Sequence, residues 1–525
     1  MEHLHHSKKV IVMMAVISAM LFVSLSQTIV NTALPRIVAE LGGIEYFSWV
    51  FSMFLLTSSV PAVLIGKLSD SYGRRPFFLM GMVIFMVGSL FSGLARSIFH
   101  LIVSRGVQGL GGGMILVVSN ASVGDLFAPQ ARARWQGFLQ GVFGVSSLFG
   151  PFLGGYIVDN ADWRWVFWIF LPMGLLALSL IYKLYPQVER KQIEETDYYG
   201  TLLMTMFAIS LLLSLTWGGK QYAWASPVII SLLAVSLLTF IGFYIVECRV
   251  KNPLLPMKLF NNKAFAISIM VGCLLGVGFF GVSMYMPFYV QGAIGASATS
   301  SGFVIMPMTV SLVIASALSG QIVTRTGKYK KVSLAGLSTM VAGLLLAANM
   351  NPHTPIFIGA LNMILVGVGL GIALPIYIST TQNAVKNEQL GIATAAFQMS
   401  RQFGGTIGVA VLGIIMNNRL TLLINQLFST SAVVNFWEKE PALAETMVVM
   451  RDPQILMDVE KLARIKVALP PQFEESFLYL LQSLRSALSS SLNTLFVIMA
   501  AAVMVAFLIG LFLEEIPLRS INKSE

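Results

Sequence analysis

Fourteen apolar stretches, each long enough to cross a bilayer, run almost without pause through this 525-residue chain. About twenty consecutive apolar residues suffice for one helical crossing. The stretches lie near 10–33, 46–66, 77–95, 98–122, 133–156, 163–183, 199–217, 226–247, 264–286, 301–322, 332–350, 355–378, 391–416 and 491–513. Within lipid every backbone amide must be satisfied inside the segment, so each stretch is read as a helix. The first follows Lys8 and Lys9 but is too long for a signal peptide and shows no small-residue cleavage site. Only 11% of residues are charged, against roughly a quarter in soluble proteins. That excludes a water-facing surface over most of the chain and leaves the lipid bilayer as solvent.

The basic residues choose an orientation. Of 34 Lys and Arg, 21 fall in one set of loops and termini, including Lys67, Arg74, Arg75, Arg132, Arg134, Arg249, Lys251, Arg325, Lys328, Lys330 and Lys331. The six short loops of the other set hold Arg36, Arg96, Arg164 and Lys220. By the positive-inside rule the first set is cytoplasmic, with both termini, in a multi-pass cell-membrane protein. The net charge of +10 is accounted for in this way, with no nucleic-acid partner. Segment 417–490 mixes eight carboxylates with seven basic residues. It is read as one or two amphipathic helices outside the membrane, around 459–469 and 477–484.

Five glycine pairs share an offset of 254 residues: Gly66 and Gly320, Gly73 and Gly327, Gly137 and Gly391, Gly150 and Gly404, Gly154 and Gly408. Five coincidences in matching contexts indicate an internal repeat. The expected fold is all-α. Residues 1–183 and 264–525 form two six-helix halves, and 184–263 forms an inserted pair, spans seven and eight. Halves of this kind around a central cavity are a known transporter plan.

Three constellations carry chemistry. The segment Gly66 to Pro76 holds Gly66, Asp70, Gly73 and Arg74, read as a tight loop whose Asp70 pairs with Arg74 or caps the next helix. A charge cluster of this kind can hold one conformation shut and release it in another; an ordinary positive-inside loop is the plainer alternative. Arg105 lies about seven residues into span four, roughly 10 Å deep at 1.5 Å per residue. A guanidinium at that depth is costly and requires a partner within the bundle; Gln108 is on the same helix. A structural arginine bonded to carbonyls is the competing reading, and for Arg401 in span thirteen the two stand even. Gly150 and Pro151 interrupt span five, with Gly154 and Gly155 beyond, as a conformational hinge or as static packing.

These residues resemble the major facilitator superfamily, in its fourteen-span drug:proton antiporter branch. Residues 66–76 are similar to its loop signature, Ser104 to Gly113 to its span-four motif, and Gly144 to Gly155 to its span-five antiporter motif. Trp163 to Phe167, Asp197 to Gly200, Glu247 to Leu254 and Arg401 to Gly405 also resemble the branch. The resemblance implies secondary, proton-coupled export of small amphipathic compounds by alternating access. It implies proton-transfer candidates Arg105, Gln108, Asp125 and Glu247, and cavity candidates Ser26, Gln27, Asn31 and Arg401. The alternatives are an exporter or facilitator of one neutral solute or lipid, and a non-transporting sensor. Ser26 stands where the branch carries an aspartate, and none of the 24 carboxylates lies near the middle of a span. No phosphate-binding loop, metal motif or catalytic nucleophile is present, so neither cofactor, metal nor enzymatic activity is expected. The chain is expected to act as a monomer. Cys248 and Cys273 offer no disulfide framework.

Overall fold

The computed structural model describes residues 6–514, apart from 128, 187–196, 219–221, 251–252, 254–256, 327–328, 386–389 and most of 430–473. Among the described residues the architecture is helical throughout. The helices are α1 (His6–Leu41), α2 (Phe47–Tyr72), α3 (Arg74–Gly93), α4 (Ile98–Leu126), α5 (Pro129–Asn160), the short α6 (Trp165–Trp168), α7 (Leu171–Leu184), α8 (Tyr198–Trp217) and α9 (Pro227–Arg249). They continue as α10 (Lys263–Phe288), α11 (Ala298–Thr326), α12 (Tyr329–Ala348), α13 (Ile356–Asn383), α14 (Leu390–Phe428) and α15 (Glu474–Gly510). Pro172 enters the first turn of α7 and separates it from α6, as a residue without an amide proton favours.

Twelve of these segments are long and apolar enough to cross a membrane, and Phe47–Ser58 and Tyr199–Leu215 are shorter apolar helices. The expected spans coincide with helical segments, except that 163–183 is divided between α6 and α7. The largest boundary difference is α15, which starts at Glu474 and carries the amphipathic stretch 477–484 into the last span as one rod. Glu474 and Glu475 occupy its first turn, where a helix dipole favours negative charge. Most of 459–469 lies outside the described residues.

The packing repeats. In the first half α1 packs on α5 and α7, and α4 on α2 and α3; in the second α10 packs on α14 and α15, and α13 on α11 and α12. The shared glycines explain part of this. The space a Gly154 side chain would need is taken by the Ile29 backbone of α1, and that of Gly404 by the Cys273 backbone of α10. Helices in lipid associate by such close approach of backbones. Between the halves, α8 and α9 pack mainly on each other, and α8 also touches α2 and α14.

One end of the bundle carries the basic loops; the other is called here the far end. Contacts between the halves gather at the far end. Phe47 of α2 meets Phe288 of α10 edge-on, with centroids 4.7 Å apart. The Gln291 amide donates to the Thr32 carbonyl at 2.9 Å. Asp159, at the end of α5, accepts from the amides of Ala298 and Thr299 at 3.2 and 2.8 Å. Toward the basic end, a side chain added at Gly141 of α5 or Gly320 of α11 would meet no atom of the described residues.

Two local expectations are corrected. Residues 66–72 are helical and not loop, so the turn is compressed into Gly73, whose φ of 92° only glycine adopts without strain. Gly73 occupies the N-cap position of α3, and the expected pairing or capping by the Asp70 side chain lies outside the described residues. Pro151 does not break span five; α5 is continuous through it. A proline leaves the carbonyl four residues back without its usual donor. Here that carbonyl, of Ser147, accepts from the Thr309 hydroxyl of α11 at 3.3 Å.

Candidate transport site

Arg105 is fully buried in the first half. Its Nη1 donates to Gln108 Oε1 at 2.5 Å, and its guanidinium lies 4.3 Å from the centroid of the Phe54 ring. Helical spacing of three places Arg105 and Gln108 on one face of α4, which makes the pair possible. The Gln108 amide nitrogen donates in turn to Ser89 Oγ of α3 at 2.6 Å and to Ser26 Oγ of α1 at 3.1 Å. These two hydroxyls fix which end of the Gln108 amide faces Arg105. Arg105 Nε and Nη2 are buried with no hydrogen-bond partner among the described residues. The charge thus has an aromatic face and one neutral acceptor, and no carboxylate.

Ser26 is therefore brought to Arg105 through Gln108, and at 2% exposure it belongs to the interior of the first half. Gln27 and Asn31 are half-buried on the same helix, and Asn31 Oδ1 is buried without a hydrogen-bond partner among the described residues. Arg401, on α14, is half-buried, with its guanidinium 5.9 and 6.0 Å from the ring centroids of Phe279 and Phe280. The glycines of the span-four motif are packing points: Gly109 faces the Phe54 carbonyl, Gly111 the Phe85 backbone and Gly113 the Ser58 backbone.

The remaining acids lie apart from Arg105. Asp125, near the end of α4, pairs with Arg74 Nε at 3.0 Å. Arg74 Nη1 also donates to Ser69 Oγ at 2.6 Å. The Asp70 side chain lies outside the described residues; among the described residues Asp125 is a carboxylate partner of Arg74. Tyr185 completes this corner, its hydroxyl 2.6 Å from Ser122 Oγ. Burial pushes the Tyr185 phenol up to about 12, so it stays protonated across the physiological range. Glu247 belongs to the α8–α9 hairpin, where the space beside Gly200 is filled by the Asp197 and Glu247 carboxylates. Asp197 caps α8 through Gly200 N at 2.7 Å.

The hinge glycines all sit at tight contacts: Gly150 and Gly154 against Thr28 and Ile29 of α1, Gly155 against Ala298 and Thr299 of α11. Sequence reasoning missed Ser89, Phe54, Asp159 and Gln291. Only Ser89 carried a signal, its position beside Gly88, whose missing side chain admits the Gln108 backbone.

The Major Facilitator Superfamily model matches residues 16–409. The multidrug transporter protein MdtP of Bacillus subtilis is 34% identical over 98% of this chain and 94% of its own length. Multidrug resistance protein 3 of the same organism is 34% identical over 80% of this chain and 81% of its own. In fold, the chain resembles an inward-facing, unoccupied bacterial homolog of the human lysosomal transporter Spinster. The TM-score is 0.65 at 13% identity, covering 97% of this chain and 98% of that one. The repeated helical halves, the Arg105–Gln108 face of α4 and these matches together make the chain a membrane-embedded transporter of the major facilitator superfamily.

Proposed function

We propose that the protein is a proton-coupled exporter of small amphipathic or lipophilic compounds that works by alternating access. The observation that carries this reading is the fully buried Arg105–Gln108 pair, tied by serines to α1 and α3. A charged side chain within a membrane span is costly and by default marks a substrate or proton pathway. The multidrug names of the Bacillus relatives support the substrate class.

In this reading fourteen spans cross the cell membrane. Residues 1–183 and 264–525 form the moving halves, and α8–α9 within 184–263 is the inserted pair, packed beside them. The basic end is cytoplasmic, as are both termini. The contacts at the far end then belong to an inward-facing state, and the monomer is the working unit. Gly66, Asp70, Gly73 and Arg74 act as the gate at the cytoplasmic end. Gly150, Pro151, Gly154 and Gly155 form the surface on which α5 shifts against α1 and α11.

Accumulation of a lipophilic dye should be measured in cells with and without the protein, each with and without a protonophore. Expression is expected to lower accumulation, and the protonophore to restore it. Equal accumulation in all four conditions sinks export. Lowered accumulation that ignores the protonophore sinks the coupling.

A further inference from the structure

Charge inside the bundle is one-sided. Every carboxylate within α1–α15 lies within three residues of its helix's end: Glu40, Asp70, Asp125, Asp159, Glu247, Glu474 and Glu475. Arg105 is the eighth residue of α4 and Arg401 the twelfth of α14. Neither makes an ion pair among the described residues. Arg401 Nε is buried without a hydrogen-bond partner among the described residues, while the side chain as a whole is half-buried.

The position of Arg401 is specific. Its guanidinium lies beside Phe279 and Phe280 of α10, and Phe280 in turn meets Phe51 of α2, with centroids 5.8 Å apart. Phe51 belongs to the first half, so Arg401 sits at the seam between the halves. Gly405, one turn on, leaves the room that the Phe280 ring occupies, and Gly276 lets α10 approach the Arg401 backbone. The result is a forked donor with no ion-pair partner among the described residues, bordered by aromatic faces, at a depth where the described helices carry no carboxylate.

We propose that Arg401, with Phe279 and Phe280, is a binding subsite for the headgroup of a monoanionic aromatic amphipath, a carboxylate or sulfonate. This rests on the export reading and names its substrate class. A guanidinium takes two oxygens of such a group in parallel. The apolar body of the ligand packs on the phenylalanine rings, where aromatic contacts add to burial. The same cationic setting disfavours a permanent cation, because its desolvation finds no opposite charge among the described residues. Arg105 adds to that field from the other half without touching the ligand in this conformation.

The test uses proteoliposomes of the full chain under one imposed pH gradient, with three probes: anilinonaphthalene sulfonate as the anion, Nile red as the neutral dye and ethidium as the cation. The unmodified protein is expected to transport the anion about tenfold faster than ethidium. Arg401→Gln should slow the anion about tenfold, the loss of one charge-assisted contact, with Nile red within about twofold of its original rate. Arg401→Lys, which keeps the charge and loses the fork, should fall between. Should Arg401→Gln fail to accumulate, the Arg401→Lys arm and fluorescence titration of the anion against purified protein decide the matter. Ethidium moving as fast as the anion, or equal loss of anion and neutral dye in the variants, overturns the subsite. Transport of Nile red alone by the unmodified protein overturns the subsite and leaves export standing; transport of none of the three defeats both.

Discussion

Arg74 joins three helix ends: its Nε is 3.0 Å from the Asp125 carboxylate at the end of α4, and its Nη1 is 2.6 Å from Ser69 at the end of α2. The pair is partly exposed on the carboxylate side, with Asp125 at 38%. Ion pairs of that kind contribute no more than ~1 kcal/mol to stability. The consequence of breaking it should therefore appear in transport and not in folding. Arg74→Ala and Asp125→Asn are each expected to slow dye efflux at least tenfold, about 1.4 kcal/mol in the rate-determining step. Membrane protein levels should stay within about twofold. Efflux normalised to the amount of protein checks this, and unchanged rates in both variants remove the gate.

At the far end Asp159 holds the two halves together through the amides of Ala298 and Thr299 and the Thr299 hydroxyl, at 3.2, 2.8 and 2.5 Å. A carboxylate on the first amides of a helix is favoured by the dipole as well as by the bonds. Asp159→Ala removes all three and leaves the other contacts of the seam. It is expected to shift the population about tenfold toward a state open at the far end, roughly the worth of one charged hydrogen bond. Spin labels at Asn160 and Ser297, in a background lacking Cys248 and Cys273, would report this as a longer distance population. An unchanged distance distribution would show that Asp159 does not hold the seam.

The helices were legible because apolar runs of about twenty residues have one solution in lipid. The glycine repeat was legible because close backbone approach tolerates no side chain, as at Gly154 and Gly404. Helix ends beyond the membrane were harder. The polar start of α15 at Glu474 continues the last span through residues that hydropathy alone assigns to water. Pro151 misled for a different reason: the cost of its missing bond is offset by Thr309, 158 positions away and on another helix. The site residues were found one helix at a time. Their partners, Asp125 for Arg74 and Ser26 and Ser89 for Gln108, depend on contacts that no local spacing encodes.

Arg105→Ala is expected to stop uphill efflux while ligand binding stays measurable. The substitution deprives Gln108 Oε1 of its donor and leaves Ser26 and Ser89 holding an amide with nothing to orient. An unsatisfied buried acceptor costs about 1–3 kcal/mol, which a folded bundle of this size can absorb. Efflux under a pH gradient and equilibrium dye binding to purified protein should therefore separate. Failure of the variant to accumulate in the membrane would instead mark Arg105 as structural.

Ser26→Asp tests the electrostatics of the first half. Ser26 Oγ lies 3.1 Å from the Gln108 amide, which bonds Arg105 through its other end. A carboxylate there enters a buried cluster whose cation has no carboxylate partner among the described residues. Opposite unit charges 4 Å apart attract by about 4 kcal/mol at an effective dielectric of 20, before desolvation is subtracted. The new group neutralises Arg105 and removes the positive bias of that half, so a monovalent cation meets a smaller desolvation deficit. Ethidium efflux is expected to rise several-fold relative to a neutral dye. The added carboxylate also takes up and releases protons, so efflux should depend more steeply on an imposed pH gradient. The alternative is that Gln27, Asn31 and aromatic faces already suffice for cations through cation–π contact. Ethidium and neutral-dye efflux measured side by side in both proteins, under one gradient, decide between them. Robust ethidium export by the unmodified protein, unaltered by Ser26→Asp, would show that the interior charge does not select the substrate.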